Sequence, residues 1–137
     1  MNKKYLFIGG ILLIGLVAWG FYLYNKPHTS TAHERPDFSI PAVDLYNAYQ
    51  KDESGANNKF LGKVIEVKGS VSEVHPGKGN TDILMDATAT GGGVNCSFPN
   101  IPLSQLQTLK KGNIITVKGR CTGFLMDVNL VDCVTEE

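Results

Sequence analysis

The chain has 137 residues, of which 42% are hydrophobic and 19% are charged, and its thirteen basic and thirteen acidic side chains cancel to a net charge of zero. This length suits one domain of about 100–150 residues and excludes several large domains within it. The totals also exclude a disordered or strongly charged chain. They are averages, however, over an apolar N-terminal segment and a more polar remainder.

Residues 5–24 form a run of twenty uncharged residues that is preceded by two lysines. As a helix rising about 1.5 Å per residue, this run would be about 30 Å long and would match the hydrocarbon core of a bilayer. A cleaved signal peptide shares the basic start, but its apolar region is shorter, and no A-x-A pattern follows this run. We therefore predict an N-terminal transmembrane anchor over residues 1–25, with the membrane as a partner through residues 5–24.

Residues 26–40 mix proline, serine, threonine and charges without apolar periodicity, which predicts a linker. From Pro41 onward, apolar residues at helical spacing predict a short helix at about 41–53, with a second short turn over 56–60.

Alternating apolar residues then predict five strands and one helix in the rest of the chain. The predicted strands are 63–74, 81–87, 92–98, 113–121 and 127–135, and the helix is 101–111. The order β-β-β-α-β-β is that of a five-stranded Greek-key barrel, the OB-fold. The predicted fold class is thus β with minor α, and residues 41–137 form the OB-fold domain with its leading helix.

Two stretches also carry a family likeness, LYNAYQKDESGANNKFLGKVIEVKGSVSEV and LKKGNIITVKGRCTGFLMDVNLVDC. Their F-x-G-K-V, K-K-G-N-I-I-T-V-K-G and closing D-C motifs resemble the tRNA-anticodon-binding-like OB-fold family of small bacterial envelope proteins, over about residues 43–135. The resemblance implies the fold and a membrane-associated location. It implies no ligand, because members of this family are mostly of unknown function. Some members resemble lipoproteins, whereas this chain has no cysteine before Cys96.

The balance of positive charge favours an N-terminus on the inner side of the membrane, since Lys3, Lys4 and the α-amino group outnumber Lys26 and Arg35. Together with the resemblance, this predicts a single-pass protein of the bacterial inner (cytoplasmic) membrane whose C-terminal domain lies outside the cytoplasm.

Nucleic acid is not expected as a partner, although the family's name refers to it. Binding to single strands requires a positive surface and aromatic platforms. From residue 27 onward, ten basic side chains face thirteen acidic ones, a net charge of −3, and only six of the twelve aromatic residues lie there. A local cluster of Lys110, Lys111, Lys118 and Arg120 remains, and a solvated face explains it more simply.

No enzyme, cofactor or metal site is predicted. His28 and His33 lie in the linker and His75 in a turn, without partners at metal-ligand spacing. The tripeptide at residues 77–79 lacks the remainder of a phosphate-binding loop.

The three cysteines are Cys96, Cys121 and Cys133. Outside the cytoplasm one pair could be oxidised. Strands three and five of an OB-fold are parallel neighbours, which favours a Cys96–Cys133 disulfide, whereas Cys121 would lie about 17 Å from Cys133. Three buried thiols fit the sequence equally well. A catalytic pair of Cys96 with His75 ranks behind both.

The sequence therefore predicts a non-catalytic, membrane-tethered OB-fold binding module of the bacterial cell envelope, whose ligand is a protein or another envelope component. OB-folds commonly bind through the face of strands two and three and the adjacent loops. By that analogy the candidate ligand-binding residues are Gly77, Lys78, Asn80, Thr88, Thr90, Asn95 and Phe124. The alternative function is single-stranded nucleic-acid or oligonucleotide binding by the barrel, and a thiol enzyme is a third.

Overall fold

Six strands and four helices follow one another in a computed structural model that describes residues 3–25 and 30–136. Apart from the N-terminal helix, each of these elements lies within the part of the chain predicted to fold, or immediately before it. The helices are α1 (Lys3–Tyr24), α2 (Ala42–Lys51), α3 (Glu53–Phe60) and α4 (Leu103–Thr108), and the strands are β1 (Phe38–Pro41), β2 (Val64–Pro76), β3 (Thr81–Asp86), β4 (Gly93–Phe98), β5 (Ile114–Phe124) and β6 (Val128–Glu136).

Strands β2 to β6 close into a barrel because the long strand β2 pairs with two neighbours. Its first half, from Val64 to Ser70, is antiparallel to β5, and its second half, from Ser70 to Pro76, is antiparallel to β3. The remaining pairs are β3 with β4 and β5 with β6, both antiparallel, and β4 with β6, which is parallel. This closed five-stranded barrel confirms the predicted mostly-β fold.

Two features mark the middle of β2, where the strand passes from one neighbour to the other. A bulge lies between Val71 and Glu73, at the point where pairing with β3 takes over. Gly69, just before the bulge, serves packing: a Cβ there would lie 2.8 Å from the Cβ of Ala42 and 3.1 Å from the Sδ of Met85. Gly69 therefore allows α2 to approach the barrel closely.

Helix α2 closes one end of the barrel with its apolar side. Leu45 and Tyr49 are almost completely buried, and Tyr46 nearly so. The ring of Phe124, at the end of β5, stacks on Tyr49 with 5.7 Å between centroids and meets Tyr46 edge to face at 5.9 Å. The predicted helix at 41–53 is thus confirmed, and its aromatic side chains pack into the core, as the sequence suggested.

Part of the segment 26–40, which the sequence predicted to be a linker, contacts the barrel. Residues 26–29 lie outside the described part of the chain, but residues 30–37 contact the barrel, and we call them the docked segment. Thr31 is fully buried, and its hydroxyl donates to the carbonyl oxygen of Asp132 at 2.6 Å. The backbone amide of Asp37 donates to the carbonyl oxygen of Val64 at 2.7 Å.

Two cations of β5 hold the docked segment. The Nζ of Lys118 donates to the carbonyl oxygen of Ala32 at 3.2 Å and pairs with Glu136 at 2.6 Å. The guanidinium of Arg120 donates to both carboxylate oxygens of Glu34, at 2.7 and 2.8 Å. Hydrogen bonds and ion pairs, rather than apolar burial, hold this segment, which is why apolar periodicity gave no sign of it.

Strand β1 follows the docked segment and was also predicted to be linker. It pairs in parallel with the first half of β2, with Phe38 opposite Ile65 and Pro41 opposite Lys68. Pro41 ends the strand and precedes the first residue of α2, because its fixed φ suits an entry to a helix.

Helix α1 covers the apolar run predicted to be an anchor, and its side chains from residue 8 to residue 24 are exposed. The side chains of residues 5–7 lie outside the described part. Within residues 3–25 and 30–136, no helix has the length and apolar character that a membrane crossing requires.

Candidate binding surface

The surface that OB-folds commonly use is open and polar in this barrel. In β3 the side chains alternate, so that Thr81, Ile83 and Met85 are buried and the side chains between them point outward. The cross-strand register places outward residues in rows, such as Glu73, Leu84 and Asn95. We call this surface the outer face; its members are Glu73, His75, Asp82, Leu84, Asp86, Asn95 and Ser97.

The outer face is acidic. Glu73, Asp82 and Asp86 contribute three carboxylates, and the imidazole of His75 lies 2.9 Å from the carboxylate of Glu73, both side chains being more than half exposed. Strands β3 and β4, all of whose residues the structure describes, carry no lysine, no arginine and no aromatic ring on this side. Leu84 is the large apolar side chain of the outer face and is partly buried between polar neighbours.

An open cavity of about 580 Å³ lies at one end of the outer face, and we call it the loop cavity. Glu73 and Asp86 belong to both the outer face and this cavity. The other lining residues come from α2, from β2, from the β3–β4 loop and from the turn before β5; they are Val43, Ser72, Ala87, Thr88, Ala89, Gly91 and Lys111. The cavity is therefore mixed in charge, with two carboxylates and one ammonium group.

The structure separates the predicted site residues into two groups. Gly77, Lys78 and Asn80 form the exposed turn between β2 and β3, closed by a bond of 2.8 Å from the Gly77 amide to the Asn80 carbonyl oxygen. Thr88 and Thr90 lie in the β3–β4 loop, at the opposite end of β3. Since β3 has six residues, about 3.3 Å apart, the two groups bracket the outer face instead of forming one pocket.

The β3–β4 loop and the β5–β6 turn do come together. The amide of Gly93 donates to the Oδ1 of Asp127 at 2.8 Å. Within the β3–β4 loop, the amide of Gly92 donates to the Oγ1 of Thr88 at 2.9 Å, and the hydroxyls of Thr88 and Thr90 are 3.2 Å apart. The threonines thus shape the loop as well as face solvent.

Of the other two predicted residues, one lies on the outer face and one does not. Asn95 points outward from β4, and its Nδ2 donates to the Oδ1 of Asn129 at 3.4 Å. Phe124 is partly buried and packs against Tyr46 and Tyr49 at the closed end of the barrel, and its assignment to a ligand stays a prediction. Glu73, Leu84 and the face's aspartates were not predicted as site residues, although the alternation in residues 81–86 places Leu84 and the aspartates on one side of β3.

The basic cluster considered in the sequence is not one surface. Lys118 is 6% exposed, and its ammonium group is used within the fold, as is the guanidinium of Arg120. Lys110 and Lys111 are exposed in the turn before β5. Of the four cations, Lys110 and Lys111 are thus the two that are exposed and not engaged in the ion pairs with Glu136 and Glu34.

The cysteines are buried thiols in the structure. Burial raises the pKa of the Cys133 thiol well above its usual value, and a hydrogen bond with Cys96 raises it further. Those two thiols are therefore neighbours, as the predicted pairing requires, and the disulfide itself stays a prediction. The Sγ of Cys121 instead lies 3.3 Å from the hydroxyl of Tyr49, whose pKa is raised chiefly by burial. Among residues 3–25 and 30–136, no group of histidine, cysteine or acidic side chains could hold a metal ion.

A closed five-stranded barrel with α4 between its third and fourth strands defines this domain as an OB-fold. The family model described as tRNA_anti-like matches residues 1–135. The chain belongs to the tRNA_anti-like family. No curated protein matches it.

One solved structure supports the same fold. A lipoprotein from Klebsiella pneumoniae, whose name suggests nucleic-acid binding, matches with a TM-score of 0.58 and 15% identity over 72% of this chain and 91% of that chain. A chain of the Stn1–Ten1 complex of S. pombe matches with a TM-score of 0.41 and 16% identity, over 54% of this chain and 58% of that chain. At 15% identity the similarity to the lipoprotein shows the fold alone. A TM-score of 0.41 is too low to support a conclusion from the second match.

Proposed function

We propose that this protein is a non-catalytic, membrane-tethered binding module of the bacterial cell envelope, and that its outer face binds a segment of another protein. The outer face is the observation that supports this proposal most directly. It is an exposed sheet surface with a central leucine, Leu84, and three carboxylates, and the loop cavity lies at its end.

The charge of the outer face favours a basic protein segment over a polyanion. Unpaired carboxylates attract cationic side chains and repel phosphates. Asp82 and Asp86 form no ion pair within the described residues, and Glu73 pairs only with the imidazole of His75. A ligand with a lysine or arginine would meet these charges, while an apolar side chain could contact Leu84.

The proposed tether rests on the sequence of residues 5–24, which holds twenty uncharged residues after Lys3 and Lys4. Membrane fractionation of the full chain tests it. The protein is expected in the membrane fraction after a carbonate wash at high pH, and release into the supernatant would contradict the tether. Protease accessibility from the periplasmic side, measured on the same membranes, tests the proposed location of the C-terminal domain.

The non-catalytic part of the proposal rests on the thiols. Cys96, Cys121 and Cys133 are buried, and within the described residues none of them is hydrogen-bonded to a histidine. A nucleophile would have to be accessible and would need a base within hydrogen-bond distance.

A photo-crosslinking residue at Leu84 tests the binding surface in living cells. The same residue at Gln107, an exposed position on α4, is the matched control. We expect a discrete adduct from the Leu84 position only, reduced at least fivefold by the double change Glu73→Lys and Asp86→Lys. Equal adduct yields from both positions, or a yield from the Leu84 position that the charge reversal leaves unchanged, would contradict a ligand on the outer face.

Nucleic-acid binding remains the second candidate, and the comparisons favour it. The family model and the Klebsiella pneumoniae lipoprotein both carry names that refer to nucleic acid. These names therefore do not support the expectation that nucleic acid is not a partner. Lys78 and Lys111, exposed at opposite ends of the outer face, are the cations that a strand lying across it would meet.

Titration of labelled 20-nucleotide single strands, DNA and RNA, separates the two candidates. A nucleic-acid function predicts an affinity that falls steeply with salt and that weakens in Lys78→Ala with Lys111→Ala. A protein-ligand function predicts no binding at physiological salt, and no change with these variants.

A further inference from the structure

The turn between β5 and β6 exposes large apolar side chains. Leu125 is 86% exposed and Met126 is 81% exposed. Leu61, which follows α3, is 51% exposed and lies beside the same turn, since its Cδ1 is 3.6 Å from the position that a Cβ would take at Gly123. We call Leu61, Leu125 and Met126 the apolar tip.

Turns between antiparallel strands usually carry polar residues and glycine. Single apolar residues on a surface are ordinary, but a cluster at the point where a chain projects indicates a contact with something outside the domain. Leu125 and Met126 lie beyond the last pair of β5 with β6, and none of the three residues of the apolar tip belongs to the core.

Two lysines stand next to the apolar tip. Lys59 and Lys63 are exposed on either side of Leu61 in the chain. The Nζ of Lys59 lies over the rings of Phe38 and Phe60, 5.5 and 5.1 Å from their centroids. Two acidic residues also lie near the tip: Asp127 accepts the hydrogen bond of the Gly93 amide, and Glu34 pairs with Arg120 beside Gly62. Apolar side chains flanked by lysines are the pattern of a surface that enters the interface of an anionic membrane.

The docked segment passes close to the residue that follows Leu61 in the chain. One guanidinium, that of Arg120, donates to the carbonyl oxygen of Gly62 at 3.0 Å and to the carboxylate of Glu34. The docked segment therefore runs beside residues 61–63. Only residues 26–29 separate the described end at Asn25 from Ser30, and a chain of that length reaches at most about 18 Å.

We propose that the apolar tip inserts into the headgroup region of an anionic lipid bilayer and forms a second membrane contact besides α1. This proposal rests on the proposed membrane tether. Repulsion between anionic lipids and the carboxylates of the outer face directs that face away from the bilayer, where it is free to bind a ligand.

Bromolipid quenching of tryptophan fluorescence tests the proposal. The full chain is reconstituted in vesicles of phosphatidylcholine and phosphatidylglycerol at a 7:3 ratio, with and without lipids brominated near the headgroups. Trp19 in the unmodified chain reports on α1. In a Trp19→Phe background, Met126→Trp reports on the apolar tip, and Leu103→Trp is the matched control, since Leu103 is 74% exposed on α4 at the other end of β5.

We expect bromolipids to quench the Met126→Trp emission at least twofold and to leave the Leu103→Trp emission unchanged. The quenching should fall when Lys59 and Lys63 are changed to glutamate, or when phosphatidylglycerol is omitted. An unquenched tip tryptophan with a quenched Trp19 would overturn the proposal and leave the tether standing. A blue-shifted but unquenched tip tryptophan would assign the apolar tip to a protein contact and overturn it too, as would equal quenching at both introduced positions.

The failure of the tether has a separate signature. If Trp19 is unquenched while the tip tryptophan is quenched, the membrane contact of the tip is supported and the tether is not. If neither is quenched, both proposals fall.

Discussion

Changing Thr31 to valine should detach the docked segment from the barrel. The hydroxyl of Thr31 is buried and donates to the carbonyl oxygen of Asp132 at 2.6 Å. Valine has nearly the same shape, so the change removes the donor and leaves a partly buried acceptor without its partner. Such a loss costs about 1–3 kcal/mol of unfolding free energy. The acceptor also lies at a residue with a φ of 52°, which makes the local backbone dependent on its contacts.

Urea unfolding of the full chain in detergent, followed by far-UV circular dichroism, measures this difference. In a thermal scan followed by the same signal, the melting temperature of a domain of this size should fall by about 4 °C or more. Thr31→Ser is the control, because it keeps the hydroxyl and loses one methyl group, at about 0.8 kcal/mol. Hydrogen exchange at the amides of Glu34 and Asp37 measures how stably the docked segment is held on the barrel. If valine leaves both the stability and this exchange unchanged within about 0.5 kcal/mol, the hydrogen bond does not hold the segment, and the reasoning fails.

Three further outcomes are expected. Leu45→Ala opens a cavity under α2 and should lower the unfolding free energy by about 2–5 kcal/mol, which a urea titration measures; a loss below 1 kcal/mol would mean that α2 does not close the barrel. Gly93→Ala would force a Cβ against the carbonyl oxygen of Met85, so we expect about 3 kcal/mol or more of destabilisation, or failure to fold, and normal stability would contradict the β3–β4 register. Burial and the hydrogen bond with Cys96 raise the pKa of Cys133 in the folded state. The stability that its protonated thiol contributes is therefore present below the usual pKa of 9.0, and it is lost as the pH rises above that value. Urea titrations between pH 8 and pH 10 should show this decline, and a Cys133→Ala variant with the same decline would refute it.

Much of the barrel could be predicted from the sequence because its strands are buried on one side. The alternation of residues 81–86 and 93–98 follows the barrel wall, and each predicted strand is within about three residues of the observed one. Helix α4 ends at Thr108 and is shorter than the predicted helix at 101–111. The leucine spacing continues past Thr108, but none of the residues of α4 is buried, so packing does not extend the helix.

The elements that escaped prediction depend on contacts distant in the sequence. The docked segment is held by Lys118 and Arg120, which read as a possible basic patch when the sequence was considered alone. Ion pairing of this kind leaves no periodic pattern. Strand β1 has four residues, too few for an alternation to be recognised.

The candidate site was predicted only in part for a similar reason. The loops at 76–80 and 88–95 could be located from the order of the strands, and they do border the outer face. Phe124 could not be assigned to the core until α2 was known to cover it. The acidic character of the outer face depends on strand register, which brings residues of β2 and β3 side by side.

The contact between Thr31 and Asp132 joins residues 101 positions apart in the chain. During synthesis the N-terminal partner emerges first and cannot reach its final place until the last strand, β6, has been made. Domains of this kind begin to fold as the chain grows, at about 5–20 residues per second, so residues 30–37 must wait several seconds beside an unfinished barrel. The hydrogen bond between Thr31 and Asp132 therefore forms only after β6 has been made, and we expect the docked segment to gain its protection from hydrogen exchange after that point.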